Sequence, residues 1–176
     1  MKLLIVGCGG HGCNCLEIAR TIQAEEQPLY DGFAFIDDNH VGEKYLDSYV
    51  IGAVEDIDSF TKEYECAFVA IGNNEIRRTI TDKMINAGYK IATLISPKAN
   101  ISQHSKIGFG CVVFPFASVE HNARVEDGVV IDTGVVVGHD ATVEAYSLNY
   151  ANSVIRPNTM IKESTTIAAN SLICNR

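Results

Sequence analysis

Residues 7–12 read Gly7-Cys8-Gly9-Gly10-His11-Gly12, and Gly7, Gly9 and Gly12 match the spacing G-x-G-x-x-G. Between a strand and a helix, such a loop offers main-chain amides and a helix N-terminus to a phosphate. Asp37 lies 30 residues after Gly7, too far for the acid that grips a dinucleotide ribose about 20 residues into the fingerprint. The α/β pattern also ends after some 95 residues, with no second mononucleotide half. A hydride-transfer cofactor is therefore disfavoured, and a tight turn packed for structure competes with phosphate binding. The six cysteines, Cys8, Cys13, Cys15, Cys66, Cys111 and Cys174, contain no C-x-x-C pair. They read as reduced, mostly buried thiols with no assigned function.

The elements that would position the loop follow from hydrophobic periodicity. Lys2–Gly7 is an apolar run, and Leu16, Ile18, Ala19 and Ile22 suggest the helix after the glycines. Residues 32–36, closed by Asp37-Asp38, read as a second strand, and 66–71, closed by Gly72-Asn73-Asn74, as a third. Ile76, Ile80, Met84 and Ile85 mark another helix, and residues 90–95 a last strand before Pro97. The order β-α-β-β-α-β predicts a small parallel sheet of Rossmann-like type over residues 1–96.

From Ile101 onward the pattern changes. Counting in sixes to Ile173 meets Ile or Val at twelve of thirteen positions, with Asn149 as the exception. The positions two residues earlier, Ala99 to Ser171, are all small or β-branched. A period of six fits neither helix nor ordinary strand, and it predicts a three-sided prism with one hexad per face. Residues 97–176 are accordingly expected to form a left-handed parallel β-helix, the hexapeptide-repeat fold. Three hexads make a coil of 18 residues, with coils stacked about 4.8 Å apart. His121 and His139 are 18 residues apart, so they should stack in one column. That raises a remote reading, a zinc half-site of the β-helical carbonic anhydrase type, although His104 is 17 rather than 18 residues before His121. No metal is assigned.

The chain of 176 residues, 47% hydrophobic and 20% charged, reads as a soluble protein able to bury its own core. Fourteen basic against twenty-two acidic residues give −8, with no basic stretch, which argues against nucleic acid and anionic membranes as partners. No apolar run approaches a membrane span, and Met1–Gly7 reaches glycines too early for a signal peptide. A cytoplasmic location is expected.

Taken in order, Gly7–Gly12, Phe35-Ile36-Asp37-Asp38, Ala70-Ile71-Gly72-Asn73-Asn74-Glu75-Ile76-Arg77, Leu94-Ile95-Ser96-Pro97-Lys98-Ala99 and Gly138-His139-Asp140 resemble the bacterial sialic-acid O-acetyltransferase family. Its relatives N-acetylate UDP-4-amino-sugars. The resemblance covers nearly the whole chain. It implies an N-terminal domain that binds a nucleotide-sugar and a β-helix that binds acetyl-coenzyme A at the subunit boundary of a homotrimer. Carried over by position, Gly9, Gly10, His11, Gly12, Asp37 and Asp38 would hold the nucleotide-sugar and Gly72 would line its pocket. His11 serves equally well as a residue that orients the loop.

The resemblance makes His139 the general base. A neutral imidazole can accept the proton that an amine or hydroxyl loses as it adds to a thioester carbonyl, and Asp140 could orient the ring. No Ser/His/Asp or Cys/His nucleophile pattern is evident, so direct transfer is preferred. The departures fall where the cofactor would bind. Leu148 stands where relatives often place a second His, Asn152 replaces a usual Gly, and the glycine-rich hexads and tail expected after His139 are shortened. The expectation is an acetyl-coenzyme A-dependent sugar acetyltransferase, with a noncatalytic nucleotide-sugar-binding or scaffolding homologue as the alternative.

Overall fold

The computed structural model describes residues 1–24 and 27–174; the last two residues of the expected β-helix lie outside that range. The chain divides into two units, Met1–Ala92 and Thr93–Arg176.

In the first unit β1 (Lys2–Val6) leads into α1 (Gly10–Thr21), and β2 (Gln23–Ala24) and β3 (Gln27–Pro28) form a short antiparallel pair. There follow β4 (Gly32–Ile36), β5 (Lys44–Tyr45), β6 (Ser48–Gly52), a 3-10 helix over Val54–Phe60, β7 (Cys66–Val69), α2 (Asn74–Asn86) and β8 (Lys90–Ile91). The main sheet runs β5-β6-β4-β1-β7-β8. Its central strand, β1, is paired in parallel with β4 and β7. Leu3, Leu4, Ile5 and Val6 are all fully buried, as a parallel strand covered on both faces requires. Side-chain Oδ1 of Asn73 accepts from Ile76 N at 3.0 Å and so caps the first turn of α2.

Two expectations for this unit need correction. The sheet gains β6, which pairs in parallel with β4, and β5, which pairs antiparallel with β6. Half of β6 faces outward, with Tyr49 exposed, so it lacks the continuous apolar run that marks the central strands. The expected single strand 90–95 is two pieces. β8 stays in the sheet, whereas Leu94–Ile95 pairs with Val112–Val113. Ile95 stands one hexad before Ile101, so the six-residue register already begins on that side of Pro97.

The second unit is a left-handed parallel β-helix of two-residue rungs in three sheets. Every pairing joins residues 18 apart, as in Asn100↔Ser118, Ser118↔Val136 and Val136↔Val154. Its interior is the aliphatic column Val113, Val119, Val125, Ile131, Val137, Val143, Ile155, Ile161, with the small residues Cys111, Ala117, Ala123 and Ala141 beside it. Asn149 interrupts the column, fully buried. Its Nδ2 donates to Val130 O at 3.2 Å, and its Oδ1 has no hydrogen-bond partner among the described residues. Each hexad from Gly110 to Asn170 carries one residue of positive φ at its corner. Gly and Asn fill most of these corners, since both tolerate the left-handed region.

Candidate active site

His139 and Asp140 form the corner between the rungs Val136–Val137 and Thr142–Val143. Gly138 makes this corner possible. A Cβ there would stand 2.7 Å from Pro157 N and 2.9 Å from Ile155 O, so the next coil leaves room only for glycine. Asp140 has φ +59, which a short polar residue tolerates. The resulting turn brings His139 Nδ1 to 2.8 Å from Asp140 Oδ2. The carboxylate is held from the coil before: Asn122 Nδ2 donates to Asp140 Oδ1 at 2.6 Å. The main chain is held as well, with His139 N donating to Glu120 Oε2 at 2.9 Å.

This arrangement fixes protons. The amide of Asn122, then the imidazole of His139, hold the Asp140 carboxyl below the ordinary carboxylate range, so it is ionised at neutral pH and can only accept. The neutral His139 ring therefore carries its proton on Nδ1 and keeps the Nε2 lone pair for another partner. Both side chains are about half exposed, 51% and 40%, so Nε2 is open to an incoming molecule.

His121 stands one coil before the His139 corner, and its ring has a second neighbour. Its backbone lies on the coil below, with Asp140 N donating to His121 O at 3.0 Å, but its ring packs edge-on against His104 at 5.0 Å between centroids. Neither His121 nor His139 belongs to a group of three close metal-binding side chains among the described residues.

The glycine loop sits at the carboxyl end of β1. Gly7 has φ +95, and its N donates to Ile36 O at 2.9 Å. Gly12 is glycine for packing, because a Cβ there would drive into Gly7 O. Gly9 and Gly10 are different: a Cβ on either would meet nothing within 4 Å, so the first turn of α1 faces open space. There the helix N-terminus can attract an anion. His11 is half-buried, with Nε2 4.0 Å from Cys15 Sγ one turn on.

Asp37 ties this loop to the next strand. Its Oδ2 accepts from Cys8 N at 3.1 Å and its Oδ1 from Asn39 N at 3.0 Å. Burial pushes its carboxyl up, but these amides outweigh that and hold it below the usual range. Asp38 Oδ1 accepts from Val54 N at 2.8 Å, at the start of the 3-10 helix. Gly72 has open space above its Cα. Its carbonyl and that of Ile71 accept from Arg77 Nη1 at 3.2 and 2.9 Å. Sequence reasoning missed this role of Arg77, only 1% exposed; a single charged residue at a helical apolar position was the signal.

The PglD N-terminal domain family matches residues 2–84. The acetyltransferase domain of PglB from Neisseria gonorrhoeae FA1090 is 31% identical with a TM-score of 0.89, covering 97% of this chain and 81% of that one. The same domain in complex with acetyl coenzyme A matches at 29% identity and TM-score 0.85, covering 98% and 90%. PerB from Caulobacter crescentus, in complex with CoA and GDP-perosamine, has the same fold, with TM-score 0.85 at 21% identity over 99% of this chain and 89% of that one. Among curated proteins, GDP-perosamine N-acetyltransferase of Escherichia coli O157:H7 is 25% identical over 122 residues, 69% of this chain. This chain spans about half of that relative, 54% of its length.

An α/β domain joined to a β-helix of 18-residue coils defines a hexapeptide-repeat protein of the two-domain kind. Within that class, the chain belongs to the family of the PglB acetyltransferase domain, with an N-terminal domain of the PglD type.

Proposed function

We propose that this protein transfers the acetyl group of acetyl-coenzyme A to the amine of a nucleotide-linked amino sugar in surface glycan biosynthesis, with His139 as general base. The observation that carries the proposal is the 2.8 Å contact between His139 Nδ1 and an ionised Asp140, which leaves Nε2 basic and exposed. As the amine nitrogen bonds to the thioester carbonyl carbon, His139 Nε2 takes its proton. The imidazolium is stabilised by Asp140 through Nδ1, and the proton then passes to the departing coenzyme A thiolate. Transfer is direct, with no acyl-enzyme.

Support for this acceptor class comes from relatives: one is named GDP-perosamine N-acetyltransferase, and solved ones are in complex with acetyl coenzyme A, or with CoA and GDP-perosamine. For substrate binding we assign the open amides of Gly9 and Gly10, with His11 and Gly12 in the same turn, to the diphosphate. Asp37, Asp38 and Gly72 shape the rest of that end of the sheet. The uninterrupted faces of the prism suit a homotrimer. Among the described residues no helix is long and apolar enough to cross a membrane.

The test mixes the protein with acetyl-coenzyme A and a panel of UDP- and GDP-linked amino sugars and follows thiol release. Turnover with at least one amino sugar, and none with its N-acetyl product, is expected. Calorimetric binding of nucleotide without any binding of acetyl-coenzyme A would overturn the enzyme reading in favour of a sugar-nucleotide-binding homologue.

A further inference from the structure

Away from the His139 corner, three metal-binding side chains of different chemistry converge in the first unit. Cys8 Sγ, a carboxylate oxygen of Asp37 and a ring nitrogen of His40 all lie within 4.8 Å of one another. We propose that Cys8, Asp37 and His40 form a site for a thiophilic divalent cation, Zn²⁺ by the chemistry of the donors, with a fourth position open to water. The proposal does not rest on acetyl transfer.

Topology presets the donors. Val6 and Ile36 are register partners on adjacent parallel strands, so Cys8 and Asp37 leave the sheet side by side, already joined by the Cys8 N to Asp37 Oδ2 bond of 3.1 Å. His40 follows in the turn after β4. Its Nδ1 is buried without an aligned hydrogen bond, although a Glu43 oxygen stands 3.3 Å away, and the Tyr45 ring packs edge-on at 5.5 Å. Asp37 accepts two backbone amides, yet a carboxylate offers about four lone-pair sites, so it can also take a cation.

The charges close. A thiolate and a carboxylate with a neutral imidazole balance a dication, and the pairing relieves an acid beside a loop suited to phosphate. Without the cation, burial and then Asp37 push the Cys8 thiol up to about 11, so at neutral pH the sulfur carries a proton. Binding replaces that S–H bond with an S–metal bond and releases the proton to solvent.

The experiment titrates the reduced, full-length protein with Co²⁺ and then displaces it with Zn²⁺. A thiolate-to-cobalt charge-transfer band in the near ultraviolet is expected at one equivalent, together with the intense visible bands of a four-coordinate ion. Cys8→Ser should abolish the near-ultraviolet band. Because a buried substitution can unfold the domain, the half-exposed His40→Ala provides the second reading. It should weaken Zn²⁺ binding by more than the roughly 10–100-fold typical of losing an outer partner, with an unchanged circular dichroism spectrum. His139→Ala should bind cobalt like the parent, which separates this site from the acetyl-transfer reading. No charge-transfer band at saturating Co²⁺, a band that survives Cys8→Ser, or unaltered Zn²⁺ affinity in folded His40→Ala would overturn the proposal.

Discussion

Asn122 stands one coil before Asp140 and donates its side-chain amide to the carboxylate at 2.6 Å, while the other carboxylate oxygen meets His139 Nδ1 at 2.8 Å. The acid is gripped from two sides by residues 18 and one positions away. Each donor stabilises the ionised form.

Removing Asn122 should therefore raise the Asp140 pKa toward the ordinary carboxylate value. Asn122 itself has φ +56, so Asn122→Gly removes the amide without straining the corner. For a carboxyl lowered in the folded state, the stabilisation is present above the unfolded pKa and is lost as pH falls through the folded one. The variant should lose that acid-sensitive contribution. Carbon-detected NMR titration of Asp140 in the parent and variant checks the direction, and no upward shift would remove Asn122 from the relay.

His139→Ala should lower kcat by about 10²–10⁴, the usual contribution of a positioned base, while leaving KM for the nucleotide-sugar nearly unchanged. Steady-state kinetics with acetyl-coenzyme A saturating would show it. A rise in KM with kcat preserved would make His139 a binding residue instead.

The two glycines of the first turn should respond oppositely. Gly10→Val enters open space, so the domain should keep its melting temperature while nucleotide binding, read by calorimetry, is lost. Gly12→Ala drives a methyl into Gly7 O and should lower the melting temperature, at a cost of about 1–3 kcal/mol typical of overpacking.

Asn149 offers a gain. Its unpartnered Oδ1 sits in an otherwise aliphatic column, where an unsatisfied polar atom costs about 1–3 kcal/mol. Asn149→Val should raise stability by up to that amount in chemical denaturation. A loss would mean that the bond to Val130 O outweighs the orphaned oxygen.

The β-helix was legible because its period is written in single residues: Ile and Val every six, small residues two before. The same count carried back to Ile95 shows where the coil begins, although a strand reading of residues 90–95 hides it. Strands β5 and β6 were not legible, since two- and five-residue strands with outward Tyr49 carry little pattern. At the His139 corner, the adjacency of His and Asp was visible in the sequence. The grip of Asn122 and Glu120 depends on stacking across a coil, and the ring partner of His121 depends on side-chain rotation that spacing does not specify. Cys8 stands 29 residues before Asp37 and meets it and the nearby His40 only because β1 and β4 are register partners.

The closure of every coil after 18 residues gives the second unit a built-in ruler. Removing or adding one whole coil ahead of the His139 corner would slide that corner along the axis by about 4.8 Å and leave it facing the same way. Removing six residues would instead carry it a third of a turn, onto a different wall. Length changes in this half of the molecule therefore act as translations or rotations of the histidine, according to whether they count in eighteens or in sixes.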